Sequence, residues 1–202
     1  NNLDPTDAAA AFNNFAGVIV TNLKAPDIII VTQLQDNNGA TNNGVVDAAT
    51  TYNTLITAIT TAGGPTYQYR QIDPLNNDDG GEPGGNIRQG FLFNPSRVSF
   101  VDIVGGTSTS STTVSNVSGT PTLSASPGRI DPTNAAFNGS RKPLIGQFTF
   151  NGQRVFVLGV HLIAKAGDTP LFGKNQPPIL PSEAQRQQQA TIIKDFVASI
   201  LA

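Results

Sequence analysis

The chain has no cysteine, no methionine, no tryptophan and a single histidine. Without cysteine, disulfides contribute nothing to stability, and the sequence does not report its redox compartment. Charge is also scarce: Asp, Glu, Lys and Arg make up 13% of residues, against about 25% in ordinary globular proteins. The formal net charge of −2 supplies no global field for coating nucleic acid, so any phosphate binding must come from a local cluster or a bound metal. No apolar run approaches the roughly 20 residues of a membrane-spanning helix. The chain opens at Asn1 without a methionine or a basic, apolar leader, which reads as a processed or excised segment.

What is present is a polar, weakly charged chain rich in Asn, Gln, Thr, Ser and Gly, with 38% hydrophobic residues. Its 202 residues suffice for one α/β domain with a real core, so residues 1–202 are read as a single domain. Asp4-Pro5 with Asp7 predicts a helix start, and Phe12, Phe15, Ile19 and Leu23 predict its apolar face up to about Leu23. A second helix is expected over 46–62, with Tyr52, Leu55, Ile56 and Ile59 inward and Gly63-Gly64 as its stop. Thr66 to Ile72 suits a half-exposed strand, and Ile87–Phe93 with Val98–Val104 suggests a strand pair about Asn94-Pro95. Residues 105–128 are dominated by Ser, Thr and Gly and are expected to form a mobile surface insertion. Asn151-Gly152, between Leu144–Phe150 and Gln153–Ile163, is the strongest hairpin signal, because a type I′ turn needs positive φ at both central residues. Ser182 with Gln185 reads as a capping box opening a last helix with an apolar stripe from Ile192 to Leu201.

Candidate chemistry begins at PDIIIVTQLQDNNG, residues 26–39. A β-branched apolar run reads as a buried strand, and Gln33 sits at its carboxyl end, where α/β folds place ligand sites. This stretch resembles the endonuclease/exonuclease/phosphatase superfamily, the fold of pancreatic deoxyribonuclease, and especially its large secreted bacterial members. The resemblance extends through GATNNGVVDA (39–48), GGEPGGNIRQGFLFNP (80–95), PGRIDPTNAAFNGSRKPL (127–144), FTFNG (148–152) and GDTPLFGKNQPPILPSEAQRQQQA (167–190). It implies a four-layer α/β-β/α sandwich of two mixed sheets, incomplete at both ends: the family's first strand, its Gly-Asp-x-Asn motif and its Asp-His pair find no match here. Unpaired sheet edges would then favour self-association or a companion chain.

The implied activity is metal-dependent phosphodiester hydrolysis, of the extracellular DNA endonuclease type, using Mg²⁺ or Mn²⁺ or Ca²⁺. At position 33 the family carries a metal-binding glutamate. Here Gln33 offers only a neutral amide oxygen, so weakened metal binding and an impaired or partial form are expected. The alternative is a non-catalytic structural or binding module in an extracellular assembly. By the same resemblance His161 would contact the scissile phosphate or take part in proton transfer. From its apolar surroundings alone, it reads more as a hydrogen-bonded structural residue, and the resemblance brings the two readings level. Asn86 and Arg88, in GGNIRQGFLF, match a family segment and suit phosphate binding; a solvent-exposed strand-edge Arg is the other reading. Arg129, Arg141 and Lys142 are read as pairing with Asp131 or facing water. Asp36 with Asn37-Asn38-Gly39 reads as turn chemistry, and Arg186 as a brace at the last helix start. Asn116-Val-Ser and Asn138-Gly-Ser match the glycosylation acceptor pattern.

Overall fold

The computed structural model describes residues 3–202. Helix α1 (Ala9–Gly17) runs into a π-helical turn at Val18–Asn22, followed by β1 (Ile28–Leu34) and α2 (Ala49–Thr61). Strands β2 (Gln68–Gln71) and β3 (Arg88–Phe93) complete a three-stranded sheet in the order β1-β3-β2. A second sheet is built on β8 (Leu144–Phe150): β4 (Ser99–Phe100) and β7 (Gly128–Arg129) share one edge of it, and β9 (Gln153–Gly159) takes the other. Strands β5 (Val114–Val117) and β6 (Thr120–Leu123) form a hairpin, and α3 (Glu183–Leu201) closes the chain. Every strand ladder among the described residues is antiparallel, and parallel pairing is confined to the bridges Leu3↔Leu34 and Ser111↔Arg129. The expected mixed sheets are corrected accordingly: β1 and β2 are linked through α2 but are separated by β3, which runs antiparallel to both, so no parallel ladder forms between them.

Apolar burial is divided among three clusters. Phe12, Ala16 and Ile19 meet Tyr52, Leu55, Ile56 and Ile59 of α2 over Leu34 and Leu92, which covers one face of the first sheet. Between the sheets, Phe91, Phe93 and Phe148 pack together with Phe100, and the Phe100–Phe148 rings meet edge to face at 4.9 Å. The approach is close at Gly146, where a Cβ would lie 2.8 Å from the Phe91 ring and 2.9 Å from that of Phe100. The third cluster joins Leu123, Ile130 and Ile145 to Ile192, Phe196 and Ile200 of α3.

Several local expectations change for identifiable reasons. The first helix starts at Ala9 because the Asp4 carboxylate accepts from the Thr6 N–H at 2.7 Å, which makes a local turn instead of a helix cap. The π turn takes an extra residue, so Leu23 rotates off the apolar face and is 54% exposed, while Phe15 also faces out. Strand β1 is an edge strand and only partly buried. Strands β3 and β4 do not pair with each other: β3 lies between β1 and β2, and β4 joins β8. Within 105–128, where a mobile insertion was expected, the β5–β6 hairpin forms, and Leu123 and Ala125 are buried. The Ser182 hydroxyl donates to Asp168 at 2.7 Å instead of closing a capping box. Two expectations match closely: α2 buries Tyr52, Leu55, Ile56 and Ile59, and the β8–β9 turn has φ of 48° at Asn151 and 75° at Gly152.

Candidate functional site

The two sheets meet near the carboxyl end of β1. Leu34 pairs with Arg88, the first residue of β3, and Leu144 at the start of β8 pairs with Gly159 at the end of β9. Gln89 ties these ends together: its amide donates to the Lys142 carbonyl at 3.1 Å, and a Cβ at Gly159 would lie 2.8 Å from its Oε1. The segments 140–143 and 160–163 and the loop 73–87 therefore gather beside the strand end that carries Gln33. Gln33 itself is the extra residue of a β-bulge between Thr32 and Leu34, with φ of 63°, and its carbonyl accepts from the Leu3 N–H at 3.3 Å.

Asn86 is buried, with φ of 44°, and is the hub of its loop. Its Oδ1 accepts from the Asn77 N–H at 2.8 Å, and its Nδ2 donates to the Val45 carbonyl at 2.6 Å and to Asp36 Oδ2 at 3.0 Å. Arg88 is equally committed. Its Nε and Nη2 donate to the Asn86 carbonyl at 3.2 and 2.9 Å, and Nη1 meets Asp73 at 2.5 Å. The side chain is fully buried, and desolvation draws its pKa down. Both residues thus spend their polar atoms on the protein itself, so neither is placed to receive a phosphate. Asp36 makes the expected turn, with Oδ1 accepting from the Asn38 N–H at 3.0 Å.

His161 stands differently. Its Nε2 lies 3.0 Å from Arg141 Nη2. A guanidinium only donates, so Nε2 must accept, which makes the imidazole neutral with its proton on Nδ1. Burial first, and the Arg141 charge second, hold the His161 pKa below its ordinary value. Nδ1 is buried without a partner, as are Nε of Arg141 and Oγ of Ser140 beside it.

The surrounding charges are unequally matched. Arg129 grips Asp79 at 3.0 Å, with both side chains nearly fully buried, and Lys142 reaches Asp78 at 2.8 Å and Asp79 at 3.3 Å. Both therefore pair with the loop aspartates, in place of the expected Asp131 or water. Arg141 is 6% exposed and forms no ion pair among the described residues; burial lowers its pKa, with Asp79 opposing. A buried guanidinium whose nearest partner is a neutral imidazole is an uncompensated cation, which is costly unless an anion joins it.

Arg141, expected with Arg129 and Lys142 to pair with Asp131 or face water, is instead buried against His161, and the hairpin register carries a signal for this neighbourhood. The two-residue turn at Asn151-Gly152 fixes Leu144 opposite Gly159, and continuing that register outward sets Lys142 opposite His161. Of the acceptor asparagines, Asn116 lies exposed in β5, whereas Asn138 is exposed beside a fully buried Ser140. The donor chemistry does not fit the implied divalent metal. Gln33 supplies a neutral amide, the nearby Asp36 and Glu82 carboxylates are engaged by Asn86 and Gln35, and no three His, Asp or Glu side chains converge among the described residues.

No family model matches the chain, and no curated protein matches it. Among solved structures it is similar to D. rerio TDP2 complexed with a single-strand DNA product, at 16% identity and a TM-score of 0.44 over 96% of this chain and 50% of that one. A D. rerio TDP2 humanized by 14 mutations gives the same identity and TM-score, with 51% of that chain covered. The chain thus spans about half the length of these structures, and a likeness this slight carries no argument about fold or activity.

Proposed function

We propose that the chain is a nuclease-type phosphodiester-binding domain of endonuclease/exonuclease/phosphatase ancestry, in which Arg141 and His161 hold a phosphate of a DNA-type substrate and turnover is impaired. The buried, uncompensated Arg141 guanidinium against a neutral His161 is the observation that carries this reading. A phosphodiester would supply the missing negative charge, with Arg141 Nε and His161 Nδ1 as unspent donors for its oxygens. Charge that develops on those oxygens during hydrolysis would be met by a guanidinium already desolvated and fixed, which is the arrangement that lowers such barriers most. The neutral amide at Gln33 leaves the site without the carboxylate that would hold a catalytic divalent metal, which is why turnover is impaired in this reading.

The same reading takes the architecture as a four-layer α/β-β/α sandwich, supported by the apolar clusters on both faces of each sheet, and takes the setting as extracellular, supported by the exposed acceptor asparagines 116 and 138. Strands β1 and β2 are edges of their sheet, which favours self-association through them. A second reading, a non-catalytic binding module, is favoured by the internal commitment of Asn86 and Arg88.

Plasmid nicking with Mg²⁺, Mn²⁺ or Ca²⁺ separates the outcomes. The chain is expected to nick feebly, Gln33→Glu to nick faster with metal, and Arg141→Met to abolish the gain. Brisk nicking by the unaltered chain, indifferent to Arg141→Met, overturns the proposal. Retained DNA binding with an inert Gln33→Glu variant selects the non-catalytic module.

A further inference from the structure

One whole outer layer of the molecule carries no charge. Helix α1, its π turn and α2 cover the face of the first sheet turned away from the second, and none of AAAFNNFAG, VIVTN and ATTYNTLITAITT contains Asp, Glu, Lys, Arg or His. Helix α3, by contrast, carries Glu183, Arg186, Lys194 and Asp195. A free surface is interspersed with both signs of charge, whereas charge depletion around an aromatic is the composition of a protein–protein interface core. The aromatic is present. Phe15 is 47% exposed, and Val18, three residues on and therefore its neighbour on α1, is 48% exposed.

The polar part of the layer is suited to burial as well. Thr50, Asn53, Thr57 and Thr61 of α2 are exposed, and with Asn13 of α1 they line a groove of about 470 Å³ between the helices. The hydroxyls of Thr54, Thr57 and Thr60 already donate to the Thr50, Asn53 and Ile56 carbonyls at 2.8, 2.8 and 3.0 Å, so covering them strands few donors. Threonine is a weaker helix former than Lys or Glu, which would serve a solvated face better. Its stiff χ1, in turn, leaves far less rotamer entropy to lose on burial than a long charged side chain has.

A second copy of the chain is the occupant this face fits. In a two-fold dimer the same patch meets itself, so a charge near the axis would face its own kind. A layer without charge escapes that repulsion in every register, whereas an unlike partner is usually marked by complementary charge. Each helical run is roughly 20 Å long at about 1.5 Å per residue, and two packed helices side by side span about 20 Å. A face of that size suits the small end of specific interfaces, about 1,200 Å² in total, and hence a reversible dimer. We infer that the α1–α2 layer is the interface of a two-fold homodimer, with Phe15 as its anchor. This interface uses neither the sheet edges nor the Arg141–His161 pair, so it stands apart from the phosphodiester reading.

Sedimentation velocity from micromolar to near-millimolar chain tests it, and a concentration-dependent monomer–dimer equilibrium is expected. Phe15→Ala should weaken the dimer by about 30-fold or more, equivalent to the about 2 kcal/mol of an interface anchor. Thr57→Lys, which buries a cation in the interface, should abolish it. Thr57 is exposed on its helix and Lys is the better helix former, so this variant stays folded, which circular dichroism checks. Thr32→Lys blunts the exposed β1 edge and should leave the dimer intact. A monomer at every concentration, or association that either Phe15→Ala or Thr57→Lys leaves untouched, overturns the inference. So does association lost in Thr32→Lys, which assigns it to the sheet edge, or binding to neutral phosphatidylcholine vesicles that Phe15→Ala removes, which assigns the face to lipid.

Discussion

Asp79 anchors the loop 73–87 to the second sheet, and removing its carboxylate tests whether the candidate site is held by charge. In Asp79→Ala, the Arg129 guanidinium, whose side chain is 3% exposed, loses its only carboxylate partner among the described residues, at 3.0 Å, while Lys142 keeps Asp78 at 2.8 Å. Breaking a buried ion pair on one side costs about 3–5 kcal/mol, because the remaining charge stays desolvated and uncompensated. With Lys142 still paired, the lower end, about 3 kcal/mol, is expected. At a urea slope of about 2–3 kcal/mol/M, the unfolding midpoint should fall by about 1 M. Replacing both partners by apolar groups, Arg129→Met with Asp79→Leu, should recover most of the loss, since the desolvation cost then disappears from both sides. The loop also touches the site, where a Cβ at Gly81 would lie 3.5 Å from Arg141 Nη1. The ring resonance of His161 should therefore move in Asp79→Ala. A midpoint shift under about 0.3 M with unchanged slope would refute the argument that this cluster is dry and tightly paired.

Other perturbations give equally definite expectations. Gly90 abuts Tyr52, whose Oη would lie 2.1 Å from an added Cβ; Gly90→Ala should cost about 1–3 kcal/mol in thermal or urea unfolding, and Tyr52→Phe should relieve part of it. Tyr52→Phe alone should be neutral or mildly stabilising by the same measurement, because that hydroxyl is buried without a partner. Phe148→Ala removes a fully buried ring from between the sheets and should cost about 3–5 kcal/mol. Since the folded His161 pKa lies below the ordinary value, the unfolded chain binds the proton more readily. This contribution to stability is therefore complete above the ordinary imidazole pKa and lost as pH falls through the ordinary value toward the folded one. An NMR titration should find the pKa rising in Arg141→Met, yet still depressed by burial.

Much of the scaffold was legible where local signals were redundant. Helix α2 combined a periodic apolar face with a Gly-Gly stop, and the β8–β9 hairpin combined alternating strands with Asn-Gly. The β5–β6 hairpin carried a weaker version of the same signal, Ser118-Gly119 with φ of 53° and 75°, but Ser- and Thr-rich composition masked it, although threonine is itself a good strand residue. At the site, the strand-end position of Gln33 was readable from the apolar run before it. That Asn86 and Arg88 turn inward was not, because the partners of Arg88 include Asp73, fifteen positions away, and those of Asn86 include Asp36, fifty positions away. Whether a cation faces water or a carboxylate depends on such long-range pairings, which neither propensity nor periodicity records.

The most direct test of the phosphate-binding claim uses the one histidine in the chain, whose ring resonances need no assignment. A short thymidine dinucleotide, a phosphodiester anion, is titrated into the chain while the His161 signals are followed across pH. An anion docked between Arg141 and His161 should shift those signals saturably and raise the His161 pKa, because negative charge favours the imidazolium, and Arg141→Met should remove both effects. Signals and pKa that stay unmoved at saturating dinucleotide would contradict the account.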